Sequence, residues 1–108
     1  MVYERVLSIS PDHPSLAGHF PGYPVVPGVV LLNEVIETLR RGSTVPVLVT
    51  GLPTVKFSSP LRPGETVTVC VEENKAGRAA FRCMVHARQI ASGVIEFRPG
   101  AVTQTRPV

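Results

Sequence analysis

One stretch of the chain has the residue types and spacing for proton chemistry beside a carbonyl. It runs His19-Phe20-Pro21-Gly22-Tyr23-Pro24-Val25-Val26-Pro27-Gly28-Val29-Val30-Leu31-Leu32-Asn33. Prolines at every third position, Pro21, Pro24 and Pro27, fix φ and push the residue before each into extended backbone, so the arm carrying His19 is stiff. That arm leads straight into an apolar helix. The helix's first amide N–H groups, from Gly28 onward, have no intrahelical acceptor and stand ready as donors. Gly28 has no Cβ, so a ligand carbonyl can approach its backbone closely. An imidazole beside such a helix start suits removal of a proton from carbon next to a carbonyl: the ring takes the proton and the amides hold the oxyanion. The plainer alternatives are a His19 satisfied by loop carbonyls and a Gly28 that serves a turn.

The elements that must position these residues follow from pattern. Val2 to Ile9 reads as a strand, and residues 10–27 are too punctuated by Pro and Gly for regular structure. Gly28 to Arg41 is the one convincing helix. Arg40 and Arg41 place positive charge at its negative pole, and Gly42 is expected to take a left-handed cap. At about 100° per residue, Leu32, Val35, Ile36 and Leu39 form the expected buried stripe, with Leu31 and Val29 at its margins. Asn33, Glu37 and Arg40 share one edge of that stripe, while Glu34 falls about 150° from its centre. Everything later reads as strand: Val45 to Phe57 interrupted at Pro46 and Pro53, Thr66 to Val71, a turn over Glu72 to Gly77, and a strand near Ile90 to Phe97. Between the last two, Phe81, Cys83, Val85 and Ala87 are expected on one face, with Arg82, His86 and Arg88 on the other. One early helix followed by antiparallel strands is an α+β pattern.

Length and composition narrow the function classes. The chain has 108 residues, 44% of them hydrophobic and 18% charged, which suits one domain with a core. A single domain over residues 1–98 is expected, with 99–108 a loose tail. No apolar run is long enough to cross a bilayer and no leader pattern is evident, so a cytoplasmic protein is expected. Eleven basic residues, nine of them Arg, against eight acidic ones give a net charge of +3, which favours an acidic partner. The Arg residues are scattered without interleaved aromatics, so nucleic acid is not expected as a partner. Cys70 and Cys83 are expected to be buried and reduced, with a cross-strand disulfide the alternative; no zinc-type ligand set is present. His13 and His86 read as structural, and Ser58 and Ser59 as loop residues, since no G-x-S-x-G elbow accompanies them.

The pattern His-Phe-Pro-Gly-x-Pro-x-x-Pro-Gly-Val from His19 to Val29, followed by an apolar helix, resembles the FabZ/FabA-type 3-hydroxyacyl-(acyl-carrier-protein) dehydratases. Val55-Lys56-Phe57, Pro60 and Pro63-Gly64 resemble a second segment of the same family, so the resemblance covers most of Gly18 to Phe97. The short chain and Asp12-His13-Pro14 look closest to the compact aryl-polyene branch. The resemblance implies a hotdog fold, in which a curved antiparallel sheet wraps a central helix and two protomers build active sites at their interface. It implies His19 as catalytic base and the Gly28 N–H as oxyanion donor. It places Asn33 where the family carries Glu or Asp, and Phe20, Tyr23, Pro27, Val29 and Phe57 around the acyl chain.

Asn33 is the departure with chemical content. A carboxylic acid can protonate a departing hydroxyl, whereas a carboxamide can only orient it or a water. Three explanations stand open: an inactivating substitution, an enzyme that works with Asn and water, or a chain that binds acyl groups without chemistry. Glu37, one turn further on the same edge, is better placed than Glu34 to substitute. The implied activity is loss of water from 3-hydroxyacyl thioesters to give trans-2-enoyl thioesters, with no metal or organic cofactor. Alternatives are a hotdog thioesterase and a non-catalytic subunit that completes a partner's site. An acyl carrier protein is the implied substrate carrier, with Arg40, Arg41, Lys56 and Arg62 as contacts. A homodimer is implied, with heterodimers or higher assemblies as alternatives.

Overall fold

A computed structural model describes residues 1–14, 25–74 and 76–100. The elements run β1 (Val2–Leu7), α1 (Gly28–Gly42), β2 (Val47–Phe57), β3 (Val67–Glu73), β4 (Arg78–Val85) and β5 (Arg88–Pro99). The five strands form one sheet in the order β1-β3-β4-β5-β2, every neighbouring pair antiparallel. The helix lies across one face of this sheet and touches β3, β1 and β2. This is the hotdog arrangement.

Alternation builds the core. Val67, Val69 and Val71 of β3 and Ala79, Phe81, Cys83 and Val85 of β4 all turn to the helix side. Against them α1 packs Leu31, Val35, Thr38 and Leu39. Each large apolar side chain removed from water there contributes roughly 1.5–3 kcal/mol. The buried arc of the helix is therefore turned relative to expectation: Leu31 is central, Leu32 and Ile36 are half-buried, and Val29 is 64% exposed. The reason is Thr38, which a hydropathy count discards. Its hydroxyl donates to the Glu34 carbonyl at 2.8 Å and accepts from Arg5 Nη1 at 3.4 Å, so it is buried with its polar group satisfied.

The C-terminus of α1 also differs from expectation. The helix runs through Gly42, and the cap is Ser43 in extended backbone, its N–H donating to Leu39 O at 3.0 Å. Gly42 serves space: a Cβ there would lie 2.2 Å from ring atoms of Tyr3. At the β4–β5 hairpin, His86 takes φ 53, a left-handed value that His tolerates better than most residues. The two-residue turn resets the alternation. Ala87 is exposed, and Arg88 pairs with buried Val85, which puts Arg88 on the helix side and not with Arg82. Ile90 is then an extra residue in β5, since Met84 pairs with Gln89 but Cys83 with Ala91.

Both prolines expected to interrupt the second strand are accommodated at the sheet edge. Pro46 precedes β2, and Pro53 sits in it within the second of two register shifts, between Gly51 and Thr54. Cys70 and Cys83 are free thiols on opposite faces, Cys70 opposite Arg82 and Cys83 opposite Val69. That geometry excludes the disulfide. β5 runs through Pro99 and Gly100 donates to Pro46 O at 2.9 Å, while 101–108 lie outside the described residues. No helix among the described residues is long and apolar enough to cross a membrane.

Candidate active site

The N-terminus of α1 opens onto a cavity of about 400 Å³. Val25, Val26, Gly28 and Leu31 form one wall, and Phe57, Ser58, Ser59, Pro60, Leu61 and Ile90 the other. The lining is mainly apolar, as an acyl chain requires. Pro27 is the N-cap, with no side chain capping the helix and no acidic residue in its first turn. Val30 and Leu31 N–H turn back to Pro27 O at 3.0 and 3.4 Å. No acceptor among the described residues meets the Gly28 or Val29 amide. Of these two donors at the positive end of the helix dipole, Gly28 lines the apolar cavity, an arrangement suited to a carbonyl oxygen that gains negative charge.

The approach to Gly28 is shaped by Phe57, whose ring lies against it. A Cβ on residue 28 would come within 2.7 Å of Phe57 Cζ. Phe57 is 51% exposed, so its ring has room to swing. The 58–65 loop that forms the far wall is tied down at both ends. Ser58 N–H donates to Ile90 O at 2.8 Å, Val26 N–H donates to Leu61 O at 2.8 Å, and Gly64 N–H donates to Ile9 O at 2.8 Å. Glu65 folds the loop on itself, accepting from Arg62 N–H at 2.8 Å and from Arg88 at 2.6 Å. The Arg62 amide first, then Arg88, hold the Glu65 carboxyl below its ordinary value.

Of the residues singled out from sequence, Gly28 and Phe57 line the cavity and Pro27 caps the helix above it. His19, Phe20 and Tyr23 lie outside the described residues. Asn33 is exposed, about 140° round the helix from Gly28, and does not reach this cavity within one chain. Val29 sits on that same outward side. Neither glutamate stands free to take Asn33's place. Glu34 flanks the buried face, not the opposite one, and pairs with Arg5 at 3.0 Å; Glu37 pairs with Arg41 at 3.1 Å. Burial pushes the Cys83 thiol up to about 12, which removes it as a nucleophile at neutral pH. Among the described residues no group of His, Cys, Asp and Glu is arranged to hold a metal ion.

Sequence reasoning missed Val25, Val26, Leu61 and Ile90 as lining, and read Ser58 and Ser59 only as loop. The spacing of Pro60 and Pro63-Gly64 was the available signal, because it fixes a rigid loop directly after the strand that ends at Phe57.

A helix start without caps, set on a curved sheet beside an apolar cavity, defines a hotdog protein built for acyl groups. The ApeI-like family model, described as ApeI dehydratase, matches residues 3–94. The 3-hydroxyacyl-(acyl-carrier-protein) dehydratase FabZ of Chlamydia trachomatis is 30% identical over 105 residues, covering 83% of this chain and 67% of the relative. FabZ of Streptococcus pyogenes is 28% identical over 122 residues, covering 93% and 88%. Among solved structures, the dehydratase heterocomplex ApeI:P from Xenorhabdus doucetiae matches with a TM-score of 0.77 at 26% identity, covering 88% of this chain and 87% of that one. The chain belongs to the ApeI-like dehydratase family, within the FabZ-like hotdog dehydratases.

Proposed function

We propose that this chain removes water from 3-hydroxyacyl thioesters carried on an acyl carrier protein, giving trans-2-enoyl thioesters for fatty acid or polyene-type synthesis. The observation that carries this reading is the Gly28 amide, which meets no acceptor among the described residues and opens onto an apolar cavity of about 400 Å³. The thioester carbonyl would accept from the Gly28 N–H, and the acyl chain would lie between Leu31, Leu61 and Ile90. His19 would take the proton from C2, the electron pair forming the C2–C3 double bond as the C3–O bond breaks. The hydroxyl leaves as water, so the proton taken from C2 can be the one delivered to the departing oxygen. In a syn elimination one imidazole carries it between the two atoms, and an amide suffices to orient the hydroxyl. Asn33 is compatible with turnover on that route, at a rate below that of an acid.

Placement of Asn33 favours a site shared between two subunits. It lies with Val29 and Ile36 on the side of α1 that the sheet leaves uncovered. β2 is an edge strand of 11 residues with Leu48 and Leu52 exposed. Pairing through that edge would bring the outward helix side of one subunit to the cavity mouth of the other. The second subunit would be a copy of this chain or a related hotdog chain. Exposed Arg40, Lys56 and Arg62 suit the approach of an acidic carrier protein.

The test is an assay on a 3-hydroxyacyl thioester with both ultraviolet absorbance and free thiol recorded. Dehydration raises enoyl absorbance without releasing thiol; thiol release without an enoyl product would replace the reading with a thioesterase. Asn33→Asp should raise kcat by about 10²–10⁴-fold if an acid is what the site lacks. Inactivity of both forms, alone and mixed with a second hotdog subunit, would leave only acyl binding.

A further inference from the structure

A single guanidinium, outside the cavity and on a different strand, holds the wall that the cavity depends on. Arg88 Nη1 donates to Ser59 Oγ at 2.8 Å and to Pro60 O at 2.8 Å, and Nη2 donates to Glu65 Oε2 at 2.6 Å. Two of these acceptors, on Ser59 and Pro60, are adjacent near the start of the loop that forms the far wall, and the third, on Glu65, is at its end. The next residue inward, Leu61, accepts the Val26 N–H through its carbonyl, and Val26 stands two residues before Gly28. A continuous path therefore runs from Arg88 through the loop to the helix start.

We propose that Arg88 is a positioning residue for dehydration: by clamping the 58–65 loop it fixes the width of the acyl cavity and, through Leu61 and Val26, the placement of the Gly28 amide. This rests on the dehydratase reading of the site. Arginine suits the task because its planar fork meets several acceptors at once, whereas a lysine ammonium on a flexible stem cannot hold the same three in fixed geometry. The pair with Glu65 is partly open to solvent, with side chains 39% and 27% exposed, so as an isolated ion pair it adds little to global stability. Its value is geometric. Two features of the fold lie beside this contact: the left-handed turn at His86, after which Arg88 is on the helix side, and the extra residue Ile90, whose carbonyl receives the Ser58 N–H.

The experiment compares the unmodified chain with Arg88→Ala, Arg88→Lys and Ser59→Ala on a short and a long 3-hydroxyacyl thioester of a small pantetheine-like thiol. Arg88→Ala should lower kcat by about 10–100-fold, the size expected when a catalytic donor is misplaced by about an ångström. The pH–rate profile should keep its shape, because Arg88 handles no proton. Discrimination between the two chain lengths should shrink. Arg88→Lys should recover part of the rate through Glu65, and Ser59→Ala should lose less than Arg88→Ala. Amide exchange should quicken at Val26, Ser58 and Ser59, whose N–H groups are bonded to Leu61 and Ile90 carbonyls, while residues 39–43 stay protected. A kcat for Arg88→Ala within twofold of the unmodified chain, with chain-length preference and exchange unchanged, overturns the proposal. If the unmodified chain shows no dehydration, the functional reading fails and exchange alone decides the clamp: faster exchange at Val26 and Ser58 upholds it, and unchanged exchange rejects it.

Discussion

The two ends of α1 have been built in opposite ways. At the C-terminus Arg40 and Arg41 oppose the dipole, Ser43 N–H closes on Leu39 O, and the Tyr3 ring fills the space beside Gly42. At the N-terminus no side chain among the described residues caps the helix, no acidic residue stands in its first turn, and a cavity lies alongside. The same helix closes one end with charge, a backbone bond and a packed ring, and leaves a donor open beside a cavity at the other.

The sharpest way to break this contrast is one added methyl group at each end. Gly28→Ala should cost about 10–100-fold in kcat, since the new Cβ meets the Phe57 ring and forces it across the amide. Its melting temperature should move little, because that ring has room to turn. Gly42→Ala should do the reverse. The Tyr3 ring is 2.2 Å from the new Cβ, and overpacking of this kind costs ~1–3 kcal/mol, seen as a lower Tm with kcat unchanged. Equal loss of activity in the two variants would remove the distinction between the ends.

A smaller effect separates the ends by pH. Glu65, which holds the loop behind the helix start, has its pKa lowered from 4.5 by the Arg62 amide and then by Arg88. Its stabilisation is complete above the unfolded value and is lost as pH falls through the folded one. Tyr3, beside the helix C-terminus, has its pKa raised from 10.0, first by the hydrogen bond its hydroxyl donates to Glu73 at 2.5 Å. Its contribution is complete below the unfolded value and is lost as pH rises through the folded one. Acid should therefore loosen the cavity end first and alkali the end beside Tyr3. Melting curves across pH should show a flatter acid limb for Glu65→Gln and a flatter alkaline limb for Tyr3→Phe. Parallel limbs in all three proteins would count against this division.

Local pattern carried the architecture a long way. Alternation in Val67, Val69 and Val71 and the Gly28-to-Arg41 periodicity were enough for an α+β chain, and Gly28 marked the helix start that borders the cavity. What the chain hid depended on partners distant in sequence. Thr38 was absent from the expected buried stripe, and its burial rests on Arg5, 33 residues away, which donates to its hydroxyl. Arg88 counted to the wrong face because strict alternation was carried across a turn that breaks it. The cavity wall was invisible for the same reason, since Leu61 and Val26 meet only after the sheet has curved. Asn33 is the converse case: its chemistry was legible from its type, but one chain does not bring it to Gly28.

The hairpin joining β4 to β5 has a counting consequence. Strand residues alternate between faces, so the turn at His86 and Ala87 and the surplus residue at Ile90 together fix the parity with which β5 meets its neighbours. Removing one residue from that turn would send the guanidinium of Arg88 to the far side of the sheet while leaving the strand's composition intact. Length in this short connection is thus held as tightly as identity. A homologue that gains or loses a residue there needs a second change of the same kind nearby to keep its loop latched.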